Sequence, residues 1–266
     1  MAPRSSSGRF PFLAGPPPIA YAHQGGGKER PENSWTAYTY AIDELGYTHL
    51  ETDVVVTSDG VVFHLHDATL DRTTTLTGPA LSHTWDEVSR CVVKGTDEAP
   101  PRFEDVLARW PDLFVNIEPK TDEVVAPLIE LIRKHGATGR VCVGSFHGER
   151  IDTARAALGP DLCTSTGRLA TFRLVLGSWL PLALGRVIAR TRASCYQIPV
   201  KQWFIPVTTR RSIRLAGAIG LPVHCWTIDD AAEMDRLFDL GVEGIMTDKP
   251  SVLKAVLERR GTWRGR

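Results

Sequence analysis

Along the chain, apolar runs of five to seven residues alternate with longer stretches in which apolar residues recur every three or four positions. The runs predict nine strands: Ile19–His23, His49–Val54, Val61–His66, Leu113–Ile117, Val141–Ser145, Leu162–Thr166, Ser194–Val200, Pro222–Ile228 and Gly244–Asp248. The helical spacing predicts helices over Ser34–Leu45, Glu123–Lys134, Glu149–Ala157, Arg210–Ile219, Ala231–Leu240 and Ser251–Arg259. Strand–helix alternation of this kind makes a parallel sheet covered by helices. A (β/α)8 TIM barrel fits the length, and an open doubly wound sheet is the rival. No GxGxxG opens a helix after the first strand, which weakens the dinucleotide-binding form of that rival.

Nine strands are one more than a barrel needs, and the surplus has a place. Thr57-Ser58-Asp59-Gly60 reads as a tight β-hairpin between the second and third strands. Six residues are too few for a parallel crossover. A two-residue turn at Asp59-Gly60 sets His66 opposite Asp53, and one at Ser58-Asp59 sets it opposite Glu51. A three-residue loop turns His66 to the other face.

Composition narrows the class. The 266 residues carry 31 basic and 31 acidic side chains, so no global charge draws the chain to nucleic acid. Five scattered cysteines with no CxxC pair argue against a zinc site or a disulfide framework, and for a reducing, cytoplasmic setting. Residues 1–18, rich in Ser, Arg, Gly and Pro, are expected to form a flexible leader. Residues 19–258 are expected to form a single barrel domain, and 259–266 a basic C-terminal tail. No run reaches membrane-spanning length.

Four strand ends carry polar groups where apolar ones would be expected: Ala22-His23-Gln24-Gly25-Gly26, Glu51 with Asp53, His64-Leu65-His66-Asp67, and Asn116-Ile117-Glu118-Pro119-Lys120. In a barrel these ends meet at one mouth. Glu51, Asp53 and Glu118 offer three oxygen donors suited to a hard divalent cation, Mg²⁺ or Ca²⁺. His23 and His66 can take a proton from a nucleophile and give one to a leaving oxygen. Lys120 and the glycine-rich backbone after His23 can meet anionic oxygens. Phosphodiester cleavage uses this set. Singly, each member has a plainer reading: a strand-end histidine is more often structural, and alternating acids are often a solvated face. The set is stronger than its members because all four strand ends agree.

In order, Ala22-His23-Gln24-Gly25, Pro31-Glu32-Asn33-Ser34, Glu51-Thr52-Asp53-Val54, His66-Asp67, Leu70 to Thr74, Glu118-Pro119-Lys120, Trp226-Thr227-Ile228 and Gly241 to Pro250 resemble the glycerophosphodiester phosphodiesterase family. The resemblance covers roughly residues 19–255. It implies a barrel like that of phosphoinositide phospholipase C. A divalent metal would sit at Glu51, Asp53 and Glu118, with His23 and His66 as the acid–base pair. Lys120 would lie beside the phosphate and Trp226 beside the substrate alcohol. Gln24 stands where the family usually has arginine, so a neutral amide replaces a charged phosphate donor. Arg30 or Lys28 compensates, or the phosphate is held differently. Ser34 replaces a common threonine and should still cap its helix; Glu243 replaces a common aspartate.

The reaction implied is hydrolysis of glycerophosphodiesters to glycerol 3-phosphate and an alcohol. A lysophospholipase D-type reaction is the alternative, because Leu174–Gly185 is unusually apolar and offers a candidate peripheral membrane contact. The plainer reading of that segment is an outer helix packed on its sheet. A non-catalytic phospho-ligand barrel would not need two proton-transfer histidines. An enolase-like barrel places three acids on three successive strands, whereas here two share one.

Overall fold

Val, Ile, Tyr and Phe crowd the apolar runs and pack well on a pleated surface, so the runs become strands. The structure, a computed structural model, describes residues 9–266. Among these, β1 (Ile19–His23), β2 (His49–Val56), β4 (Phe114–Pro119), β5 (Val141–Val143), β6 (Cys163–Thr164), β7 (Tyr196–Pro199), β10 (Val223–Trp226) and β11 (Gly244–Thr247) run parallel. Their order is β6-β5-β4-β2-β1-β11-β10-β7. The two ends of this path meet where Ser194 N–H donates to Thr164 O over 2.8 Å. The sheet thus curls into the barrel that the alternation predicts. β3 (Val62–His64) pairs antiparallel with β2, and β8 (Lys201–Gln202) with β9 (Ile205–Pro206) forms a separate hairpin.

The β2–β3 register differs from both predicted ones. Val54 faces His64, Val55 faces Phe63 and Val56 faces Val62. The turn is a three-residue loop, Ser58 to Gly60, closed by Thr57 N–H donating to Val61 O over 3.0 Å. Thr57 Oγ1 also accepts from Val61 N–H and donates to Asp59 Oδ1, while Gly60 adopts φ 85°. That glycine conformation is what the longer loop needs. A one-residue shift exchanges the two faces of the strand. His64 is therefore buried outside the barrel, 2.6 Å from Thr52 Oγ1. His66 reaches the mouth by another route: β3 ends at His64 and the chain turns.

Ten α-helices are found among the described residues. They are α1 (Trp35–Thr39), α2 (Trp85–Val88), α3 (Phe103–Arg109), α4 (Val125–Lys134), α5 (Gly148–Leu158), α6 (Arg168–Gly177), α7 (Leu182–Ile188), α8 (Arg210–Ala218), α9 (Ala231–Leu240) and α10 (Pro250–Arg259). Ser34 caps α1 as expected, accepting from Ala37 N–H over 3.1 Å. The apolar segment 174–185 is not one outer helix. α6 and α7 cross at Gly177 and Gly185, where a Cβ on Gly185 would lie 2.5 Å from Gly177 O.

Within residues 9–18 of the expected leader, Phe10, Phe12 and Leu13 are packed rather than loose. Pro11–Leu13 form a short 3₁₀ turn, and Phe12 and Leu13 are buried. Phe12 meets the rings of His49 and Phe114 at 5.3 and 6.0 Å and accepts a hydrogen bond from His49 Nε2. These contacts close the barrel's N-terminal end. Residues 1–8 of the expected leader lie outside the described residues. The basic tail folds back, with Trp263 against Tyr47 and Arg266 N–H on Gly46 O.

Period two along each strand sorts the barrel interior into layers. Tyr21, Cys142, Cys163 and Cys195 pack together inside the barrel, in the same cluster as Phe12 and Met246. Glu51 lies two residues beyond His49, Asn116 beyond Phe114, and Gln197 beyond Cys195. All five cysteines are buried and free. The three thiols on the β5–β7 side lie within 4.8 Å of one another. The fold therefore places its apolar contents below and its charged ones at the mouth.

Candidate active site

The C-terminal ends of β1, β2, β4, β7 and β10 converge on a cavity of about 250 Å³. His23, Glu51, Asp53, His66, Glu118, Lys120 and Trp226 all line it, so the structure gathers seven of the eight sequence-predicted residues. The parallel register between β2 and β4 sets Asp53 beside Glu118 and Glu51 beside Asn116. Glu51 and Asp53 share a face because they are two residues apart on one strand.

Gln24 is the exception. It is 5% exposed and lies outside the cavity wall. Its Nε2 donates to Asp53 Oδ2 over 2.6 Å, and Asn33 Nδ2 approaches the same oxygen at 3.4 Å. Both residues hold positive φ, 54° at Gln24 and 53° at Asn33. For a glutamine that conformation is strained by roughly 1–3 kcal/mol. The strain aims the side chain behind the acid rather than at a ligand.

Each histidine is held by a carboxylate. His23 Nδ1 donates to Asp248 Oδ1 over 2.6 Å, and its Nε2 lies 3.5 Å from Glu51 Oε2. Burial opposes the charged ring, but Glu51 and Asp248 outweigh it and raise its pKa to about 9. His66 Nδ1 donates to Asp67 Oδ1 over 2.7 Å. Asp67 is fixed in turn by Arg72 Nε at 2.6 Å, and Arg72 forms a bidentate pair with Glu32 at 2.7 Å. Arg72 holds the Asp67 carboxyl down at about 2, with His66 adding to the effect. Both rings therefore use Nδ1 on a carboxylate and leave Nε2 for the cavity.

The acids carry the strongest charge conflict. Glu51 Oε2 is buried without a hydrogen-bond partner among the described residues. Burial drives the Glu51 pKa up to about 8; His23 opposes this, while Asp53 and Glu118 add to it. Lys120 Nζ sits 2.9 Å from Asp53 Oδ1 and 3.0 Å from Glu118 Oε2. Burial disfavours its charge, but those two acids raise its pKa above the usual value. An unpartnered acidic oxygen beside two more carboxylates fits a hard divalent cation. The three acids do not close on one point. Among the described residues, the cysteine cluster is the one trio of His, Cys or acidic ligand atoms within 4.8 Å of one another.

Several participants escape the sequence reading. Asp67 and Asp248 sit in the quoted motifs, yet only the structure shows them gripping the histidines. Asn116 follows from period two, because it lies two residues before Glu118 on β4. Gln197, a polar residue on a buried strand, donates to Asn116 Oδ1 over 2.9 Å. Phe146 stands edge-on to Trp226 at 5.6 Å and forms the rim.

Known proteins resemble this chain in sequence and fold. Residues 23–252 match the model of the glycerophosphoryl diester phosphodiesterase family. A probable glycerophosphodiester phosphodiesterase 2 of Mycobacterium tuberculosis is 35% identical over 93% of both chains. Lysophospholipase D GDPD1 of Rattus norvegicus is 24% identical over 89% of this chain and 85% of its own. A solved structure from Silicibacter pomeroyi, a putative glycerophosphoryl diester phosphodiesterase, superposes with a TM-score of 0.77 at 22% identity. It covers 96% of this chain and 100% of its own. With a family match running from His23 past the last barrel strand, the chain belongs to the glycerophosphoryl diester phosphodiesterase family.

Proposed function

We propose that this enzyme hydrolyses glycerophosphodiesters to glycerol 3-phosphate and an alcohol, with Mg²⁺ or Ca²⁺ as cofactor. The observation that carries the reading is the pair of carboxylate-held histidines facing an acid-lined cavity. Glu51, Asp53 and Glu118 are the residues to hold the metal. When bound, it would neutralise phosphate charge and polarise the P–O bond. Lys120, with its raised pKa, stays cationic and offsets charge on the phosphoryl oxygens. His23 and His66 divide two proton transfers at Nε2. One takes the proton of the attacking oxygen and the other protonates the departing alkoxide. Asp248 and Asp67 fix the ring orientation and stabilise each imidazolium. Trp226 and Phe146 give the alcohol side an apolar wall.

A lysophospholipid substrate, cleaved on the headgroup side of phosphate, is the second reading. It is favoured by exposed Phe146 on the cavity and exposed Leu169 in the adjoining groove. The deciding assay is headgroup release from a panel of glycerophosphodiesters and lysophospholipids with Mg²⁺ or Ca²⁺. No release from any of them, with metal bound, would sink the enzymatic reading. His23→Ala and His66→Ala should each lower kcat by about 10²–10⁴. Activity retained in either removes that residue from the pair.

A further inference from the structure

From 162 to 228 the chain has nine Lys and Arg residues and no Asp or Glu. With 31 charges of each sign overall, the remainder is correspondingly acidic. Such a one-sided stretch within a neutral chain points to a charged partner surface. The same region holds most of the exposed large apolar side chains. Trp203 is 83% exposed and Phe204 86%, at the tip of the β8–β9 hairpin. Trp179 is 69% exposed, and Leu176, Leu184 and Val187 on α6 and α7 are also exposed.

Part of this region adjoins the mouth. The β8–β9 hairpin follows β7 at its C-terminal end, the end that opens on the cavity. Trp179 lies under the Arg211 guanidinium at 4.2 Å, and Arg211 is in the first turn of α8. Arg168 lies over the Phe146 ring at 5.0 Å, and Phe146 meets Trp226. Beside the catalytic cavity runs a groove that shares Phe146, Ser165 and Thr166 with it. Its walls hold five arginines, Arg155, Arg168, Arg173, Arg190 and Arg192, against two acids, Glu149 and the Asp152 that pairs with Arg155.

We propose that α6, α7 and the β8–β9 hairpin dock this enzyme on an anionic phospholipid bilayer, with the arginine groove receiving lipid headgroups. The charge identifies the occupant. Arginines attract an acidic leaflet, while Trp, Phe and Leu side chains enter the acyl boundary. A second copy through the same face would bring arginines against arginines. Aliphatic leucines and valine suit hydrocarbon rather than nucleic-acid bases. The proposal rests on the lysophospholipid reading only for the substrate delivered; docking itself needs no turnover.

The test is co-sedimentation of the full chain with phosphatidylcholine vesicles, with and without phosphatidylglycerol, at rising salt. Binding should grow with the anionic fraction and fall with salt. Trp203→Ala with Phe204→Ala should weaken it about tenfold, and Arg190→Glu with Arg192→Glu about tenfold on anionic vesicles. Leu81→Ala, an exposed apolar residue elsewhere, should change nothing. Hydrolysis of a soluble glycerophosphodiester should be unchanged in all these variants, which also reports that they fold. Absent vesicle binding, or binding indifferent to both double variants, overturns the proposal. So does a patch-dependent dimer, or patch-dependent RNA binding, without vesicle binding. Vesicle binding without lysophospholipid cleavage upholds docking and removes the lysophospholipid reading.

Discussion

Gln24 Nε2 donates to Asp53 Oδ2 over 2.6 Å, while Lys120 holds the other oxygen of the same carboxylate. Gln24 thus faces Asp53 rather than the cavity. Gln24→Leu is expected to weaken metal affinity about tenfold to hundredfold, the usual effect of losing a ligand's supporting hydrogen bond. KM at saturating metal should barely move. Calorimetry for the metal and steady-state kinetics separate the two; a raised KM with unchanged metal affinity would return Gln24 to the substrate wall.

Asp67 and Asp248 are positioning residues for the two rings. Asp67→Asn removes the charge that Arg72 and His66 share, and should lower kcat by about 10²–10⁴ with KM nearly constant. Asp248→Asn should do the same through His23. In Asp248→Asn the basic limb of the pH–rate profile should shift toward lower pH, because Asp248 helps to raise the His23 pKa and an imidazolium that loses its carboxylate partner gives up its proton more readily. An unshifted profile in that variant would contradict the arrangement.

Metal addition should stabilise the fold as well as activate it. Lys120 already bridges Asp53 and Glu118, but Glu51 Oε2 has no hydrogen-bond partner among the described residues, and Asp53 and Glu118 raise the cost of charging it. At about a hundredfold excess over Kd, Mg²⁺ or Ca²⁺ should add about 2.7 kcal/mol to the unfolding free energy. Chelation should remove both that gain and turnover. Glu51→Ala should show no metal-dependent rise in a thermal melt; a full rise would place the metal elsewhere.

Acid should destabilise the protein through three histidines outside the catalytic pair. Burial lowers His49 to a pKa of about 4, and His64 and His224 to about 3. Unfolded, each titrates near 6.5. Between that value and about 4 the unfolded chain holds more protons, so stability falls as pH falls, by up to about 1.4 kcal/mol per pH unit for each ring. Urea midpoints should drop across this window, and His49→Gln should flatten the drop. A level wild-type profile would show that the rings are protonated in the fold.

Much of this was legible in the chain because burial alternates with period two in strands. That rule alone puts Glu51, Asp53 and Glu118 on inward faces. It failed at the β2–β3 register because the outcome turns on one loop residue. Thr57 Oγ1 and Gly60 together select the longer turn, and no hydrophobic pattern reports that choice. At Gln24, where the resemblance implies a residue on the phosphate side, a backbone at positive φ turns the side chain to Asp53, which no periodicity reports. Phe12 was missed because one buried ring among prolines and serines carries no periodicity, yet it stoppers the barrel.

The seam between β6 and β7 has a kinetic consequence. Elsewhere neighbouring strands share ladders, whereas here Ser194 N–H on Thr164 O joins them, with Thr164 N–H on Ser194 Oγ beside it. Separating these strands breaks the fewest backbone bonds of any division of the barrel, so the ring should breathe there first. Cys163 and Cys195 flank that gap. A thiol reagent applied to the folded protein becomes a clock for it, reaching those two sulfurs before Cys225 on the well-laddered β10.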